Sequence, residues 1–180
     1  MTDNRELGTP ADAHQLDQAI LDDYLRARID DYEGGGNLKQ FLGGQSNPTY
    51  LIEDASGSYV LRKKPPGKLL PSAHAVDREY RVISALADSG VPVPRTRLLC
   101  DDDSVIGQMF YVMDYVPGRV FAGRDMPDCS ATEVTAMFGS MARVLGTLHS
   151  VDYVAAGLDN FGKPVAYVER QVTRWSAQYE

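Results

Sequence analysis

A chain of 180 residues with 43% hydrophobic content is long enough for one domain, or one lobe of a larger one, with a sizeable core. Its 18 Lys and Arg against 25 Asp and Glu leave a formal charge of -7, which argues against a protein that coats nucleic acid, a role that needs a basic footprint. Cys100 and Cys129 lack CxxC spacing, residues 1–13 hold no apolar signal region, and no apolar run reaches the roughly 18 residues of a membrane span, so a soluble, cytoplasmic protein without a disulfide or metal framework is expected.

Residues 1–13 are polar and read as a frayed, disordered terminus. Leu16, Ile20, Leu21, Tyr24, Leu25 and Ile29 then recur at helical spacing, and Gly34-Gly35-Gly36 is expected to end that helix. Strand-like runs follow at 38–42, 49–53 and 58–63, the last two joined by the turn Asp54-Ala55-Ser56-Gly57. A helix is predicted over 73–88, with Ser72 as its N-cap and Val76, Tyr80, Ile83 and Ala87 as its buried stripe. Val91-Pro92-Val93-Pro94 reads as an extended connector, because each proline biases its predecessor away from helix. Two further strands are expected at 95–100 and 108–116, then a helix at 131–150 with Met137 and Met141 in its core face, and a last helix at 165–180. Strands, one helix, more strands and then helices describe an α+β fold with a β-rich lobe first.

Four features of that order carry chemistry. Gly43-Gly44-Gln45-Ser46-Asn47-Pro48 lies between two strands, and glycines there let a backbone approach a phosphate. Taken alone it is more often an ordinary hairpin turn. On the third strand Val60 and Arg62 share one face, an apolar residue two before a cation. Glu79 sits at the margin of its helix's apolar stripe, where a carboxylate needs a cation, and Arg62 is the natural candidate. Phe110 to Gly118 is an apolar strand ending in Pro-Gly, able to offer backbone groups to a planar base. Glycine loop, strand cation, helix Glu and hinge strand follow the order of parts in protein kinases.

The segments "FLGGQSNPTYLI", "YVLRKKPPGKLL", "DREYRVISAL" and "FYVMDYVPGR" resemble the aminoglycoside/choline-kinase-like phosphotransferases, most closely the branch that includes the kinase-like domain of certain acyl-CoA dehydrogenase family members. The resemblance runs over roughly 14–180. It implies a protein-kinase-like N-terminal lobe, an antiparallel sheet plus one helix, over 14–116, then a hinge and the first helices of a truncated C-terminal lobe over 117–180. It implies ATP and Mg²⁺ as cofactors and a small hydroxyl acceptor, in this branch a hydroxyacyl-CoA. Gly43, Gly44, Gln45, Ser46 and Asn47 would cover the phosphates, with Ser46 as a donor. Arg62 would replace the usual strand lysine and pair with Glu79. Val60 would lie over the base and Met113 behind it, and the Asp114 carbonyl and Val116 amide would hold the adenine edge. The loop lacks the GxGxxG of protein kinases, and the strand cation is Arg rather than Lys.

Phosphoryl transfer also needs a catalytic Asp, a metal-binding Asn and a second metal-binding Asp. The family's His-Gly-Asp-x-x-x-x-Asn segment is not found in 1–180. His149-Ser150-Val151-Asp152 has the wrong spacing, with Gly157 where Asn is needed, and Asp159-Asn160-Phe161-Gly162 is Asp-Phe-Gly with an insertion. Both are set aside, and the chain reads as a fragment, inactive alone, with Trp175 and Tyr179 in want of a covering partner. Lys63, Lys64 and Lys68 read as a solvated charge run, with an anionic coenzyme A tail as the alternative. His14 and His74 have no evident partners. A non-catalytic nucleotide-binding or interaction module, and a structural domain without a nucleotide site, are the competing readings.

Overall fold

Alternation of β-branched and aromatic residues builds a sheet whose two faces are covered differently. The computed structural model describes residues 6–10, 15–42, 47–67, 74–121, 126, 128–162 and 165–179. Its strands are β1 (Leu7–Gly8), β2 (Asn37–Phe41), β3 (Thr49–Glu53), β4 (Ser58–Lys63), β5 (Thr96–Cys100) and β6 (Phe110–Asp114). Its helices are α1 (Gln18–Arg26), α2 (Val76–Ala85), α3 (Asp103–Ile106), α4 (Ala131–His149) and α5 (Tyr167–Tyr179). The six strands form one sheet in the order β1-β2-β3-β4-β6-β5, every pair antiparallel.

Period two divides the sheet residues cleanly. Tyr50 and Ile52 of β3, Tyr59 and Leu61 of β4, and Phe110 and Val112 of β6 bury one face against Leu21 and Leu25 of α1 and Val105 and Ile106 of α3. Leu51, Val60 and Met113 lie on the other face, where α2 packs beside β5 and β6. In β5 the register slips between Thr96 and Leu98, and this bulge lets Arg97 join the α1 face, where it pairs with Asp31 and Asp114.

Several expectations need correction. The segment read as a frayed terminus contains β1, which pairs Leu7 with Phe41 and Gly8 with Gln40; two residues are too few to show a period. The first helix stops at Arg26, ahead of the glycines. Gly34 and Gly35 instead take positive φ in a turn whose amides donate to Asp54 and Asp22. Gly36 is required by close approach, because a Cβ there would lie 1.9 Å from the Glu53 carbonyl oxygen. Helix α2 is shorter than predicted, so Ala87 is exposed and Leu86 is buried in its place. Its N-cap position is Ala75, without a side-chain cap; Ser72 falls outside the described residues. Helix α4 has a Ser130/Glu133 capping box, yet none of its residues is buried, and Met141 is 62% exposed rather than core. No helix of the described residues is long and apolar enough to cross a membrane.

Candidate functional site

The sheet face opposite α1 presents a cation, a carboxylate and an apolar slot together. Val60 and Arg62 point to that face of β4 by alternation, and the antiparallel register sets Val60 across from Met113 and Arg62 across from Tyr111. Helix α2 brings Glu79 over them. Arg62 Nε lies 3.0 Å from Glu79 Oε2, and Arg62 Nη2 donates to Oε1 at 3.4 Å. The Tyr111 hydroxyl donates to Oε2 at 3.1 Å, and Asn47 Nδ2 donates to Oε1 at 2.8 Å. The carboxylate therefore accepts from β4, from β6 and from the loop before β3 at once.

Arg62 Nε is buried, and among the described residues its N–H is not aimed at any acceptor, despite its closeness to Glu79. The guanidinium is anchored along one edge with donor capacity left over, a suitable state for a second anion. Burial, and next the negative charge of Glu79, push the Tyr111 hydroxyl well above its ordinary range, so it remains a donor across physiological pH. The ion pair's side chains are about a third exposed, which makes its contribution to stability small. Its consequence is geometric.

Beside the pair lies a cleft of about 410 Å³ walled by Val60, Met113, Pro92, Pro94 and Val116, with Arg62 at one end. A second opening of about 550 Å³ shares Arg62, Pro94 and Met113 with it and is bounded by Glu79, Tyr111 and Phe161. Apolar walls with one cationic end suit a planar base with a charged tail. Asp114 lines the cleft, but its carboxylate turns to the opposite face and accepts from Arg97 Nε.

Of the residues singled out in the sequence, Val60, Arg62, Glu79, Met113, Asp114, Val116 and Asn47 are thus gathered at one place. Gly43, Gly44, Gln45 and Ser46 fall outside the described residues. Two readings are corrected. His74 does have a partner, Asn47, at 2.9 Å. Lys63 is not a solvated charge: it is 5% exposed, turned to the α1 face, and donates to the Ile106 carbonyl at 3.2 Å. Lys68 lies outside the described residues. Tyr111 was missed as a site residue, although its place two before Met113 was a usable signal. Arg78 and Arg81 were missed too; they grip the turn after α4, Arg78 stacking on Phe161 at 3.9 Å and Arg81 donating to the Gly157 carbonyl at 2.6 Å. Nothing local in the sequence marks those long-range contacts.

The family model for the phosphotransferase enzyme family matches residues 37–180. The chain belongs to that family. It is 46% identical over 165 residues to mouse acyl-CoA dehydrogenase family member 10, covering 91% of this chain and 15% of that protein. It is 43% identical over 171 residues to rat acyl-CoA dehydrogenase family member 11, covering 93% of this chain and 22% of the relative. Among solved structures, a Ralstonia eutropha protein assigned as an aminoglycoside phosphotransferase superposes with a TM-score of 0.76 at 41% identity, over 92% of this chain and 47% of that one. The chain spans under a quarter of these curated relatives and about half of the solved one. The kinase-like fold and the kinship with acyl-CoA dehydrogenase family members, both expected from the four segments, are found.

Proposed function

We propose that this phosphotransferase-family chain forms the ATP-holding lobe of an enzyme that phosphorylates a small hydroxyl compound, a hydroxyacyl-CoA in the nearest branch, in the cytoplasm. The observation that carries the reading is the Arg62–Glu79 pair beside an apolar cleft whose wall includes Val60, Met113 and Arg62 itself. Val60 lies over the adenine and Met113 behind it, and the Asp114 carbonyl and Val116 amide meet its edge. Glu79 holds Arg62 so that the unused edge of its guanidinium faces the phosphates, and Gly43 to Asn47 are the residues assigned to cover them. Such a lobe acts by positioning and electrostatics and contributes no covalent chemistry.

Among the described residues no group of three or more His, Cys, Asp and Glu is placed to hold a metal ion. When bound, Mg²⁺ neutralises phosphate charge in transfers of this type. Its ligands and the catalytic Asp are assigned to residues other than those described.

Calorimetry with ATP and with adenosine tests the assignment. Arg62→Ala should weaken ATP binding roughly 10- to 100-fold, the value of a charge-assisted contact, and leave adenosine binding unchanged. In a protein that includes the rest of the fold, turnover should fall with it. Equal losses for both ligands would remove Arg62 from the phosphate end. Nucleotide binding without turnover in that larger protein would instead support a non-catalytic module.

A further inference from the structure

Glu79 is held by Arg62 and Tyr111 from the sheet, but its Oε1 is also fixed by Asn47, and Asn47 is in turn held by His74. Both ends of the Asn47 amide are committed. A carboxylate paired with arginine only accepts, so the amide nitrogen must face Glu79 and the amide oxygen must face His74. An amide oxygen cannot donate. The proton in the His74 contact therefore belongs to His74 Nδ1.

The backbone around this chain of contacts is pinned on both sides. Thr49 Oγ1 donates to the Asn47 carbonyl, and the Lys63 amide donates to the Pro48 carbonyl, which ties the Asn47 support to β3 and β4. Proline at 48 further restricts Asn47 to extended conformations. His74 sits at φ 56, in the left-handed region that costs a non-glycine residue energy and persists where its surroundings demand it. Two residues later α2 begins, and it has no side-chain N-cap of its own. Its start is anchored to the sheet through His74 and Asn47 instead.

We infer that His74, through Asn47, is a positioning residue that sets where the Glu79 carboxylate stands and so how Arg62 is presented. This rests on the phosphotransferase reading for its functional consequence, not for the contact itself. It also gives the Asn47 side chain a task inside the protein, with one N–H on Glu79 and its amide oxygen on His74.

Three substitutions separate side chain from backbone. His74→Gly keeps the positive φ and loses the donor, His74→Ala loses both, and His74→Asn keeps both, because Asn tolerates the left-handed region and its amide N–H stands near the place of Nδ1. In the larger protein, kcat/KM for ATP should fall roughly tenfold in His74→Gly, further in His74→Ala, and return to within about twofold of the parent in His74→Asn. His74→Gly should add little in an Asn47→Ala background, because both changes break one chain of contacts. Independently of activity, imidazole ¹⁵N spectra of the 180-residue chain should show His74 protonated at Nδ1, a state lost in Asn47→Ala. An Asn variant no better than the Gly variant, full additivity with Asn47→Ala, or an unprotonated Nδ1 would each overturn the inference. A correct tautomer in a larger protein without phosphotransfer would defeat the functional reading, and with it the role given to Glu79, while the anchor stood.

Discussion

Two adjacent residues of β4, Arg62 and Lys63, show how one step along a strand changes what a cation does. Arg62 faces the cleft and has a carboxylate for company. Lys63 faces the α1 core, forms no ion pair among the described residues, and burial alone pushes its ammonium below the ordinary lysine range. A base with a depressed folded-state pKa binds fewer protons folded than unfolded between the two values, so its stability contribution improves as pH rises toward about 10.5. Compared with Lys63→Met, the parent chain should therefore gain relative stability as pH rises over the range leading up to about 10.5. Urea unfolding of both proteins across that range measures the difference, in which the tyrosines common to both cancel. A difference that stays flat or moves toward the Met variant would mean the ammonium is well solvated after all. Alternation made the direction of Arg62 legible in the sequence. The same alternation placed Lys63 on the opposite face, but a run of Lys-Lys beside Pro-Pro looks solvated unless the helix covering that face is already known.

At the scale of elements, the strands with clear alternation were legible almost to the residue. β3 and β4 lie where Thr49–Glu53 and Ser58–Lys63 predicted them, because each has aromatic or β-branched residues between turn-forming neighbours. β1 and α3 span two and four residues, too short for any period to show. Helix α2 was legible as a helix, whereas its attachments were not: His74 and Asn47 hold its start, and Arg78 and Arg81 hold its middle to the turn at 157–161. That turn is internally bonded, with the Gly157 amide donating to the Val154 carbonyl and the Phe161 amide to Leu158, so Arg81 fastens a preformed unit. Arg81→Ala should cost about 1 kcal/mol of local stability and raise hydrogen exchange at 157, 158 and 161, with β3 and β4 amides unaffected. Exchange that rises evenly over sheet and turn would show that Arg81 supports the whole fold and is not a local fastening.

For the whole molecule, burial is divided unevenly along the chain. The sheet with α1 and α3 has a continuous apolar core, while α4 and α5 have no buried residue and leave Phe138, Leu145, Val172 and Trp175 largely open. Stability is thus concentrated in the sheet and what packs on it, and so are the tyrosines whose ionisation burial displaces. Burial pushes Tyr24 and Tyr50 up to about 12, and Tyr32 and Tyr111 further still, with Asp22 and Glu79 adding to the last two. An acid whose folded-state pKa is raised contributes stability that is complete below its unfolded value, about 10, and is lost as pH climbs toward the folded value. Each such tyrosine steepens the loss by up to about 1.4 kcal/mol per pH unit above about pH 10. Tyr50 is fully buried in the main cluster, and replacing its hydroxyl by hydrogen removes one ionisation without opening a large cavity. Tyr50→Phe should therefore unfold at higher pH than the parent and along a shallower slope, read by circular dichroism of the sheet during alkaline titration. An identical titration curve would mean that the unfolded chain shields this phenol as fully as the folded one does. The sheet core would then not be what sets the alkaline limit of the molecule.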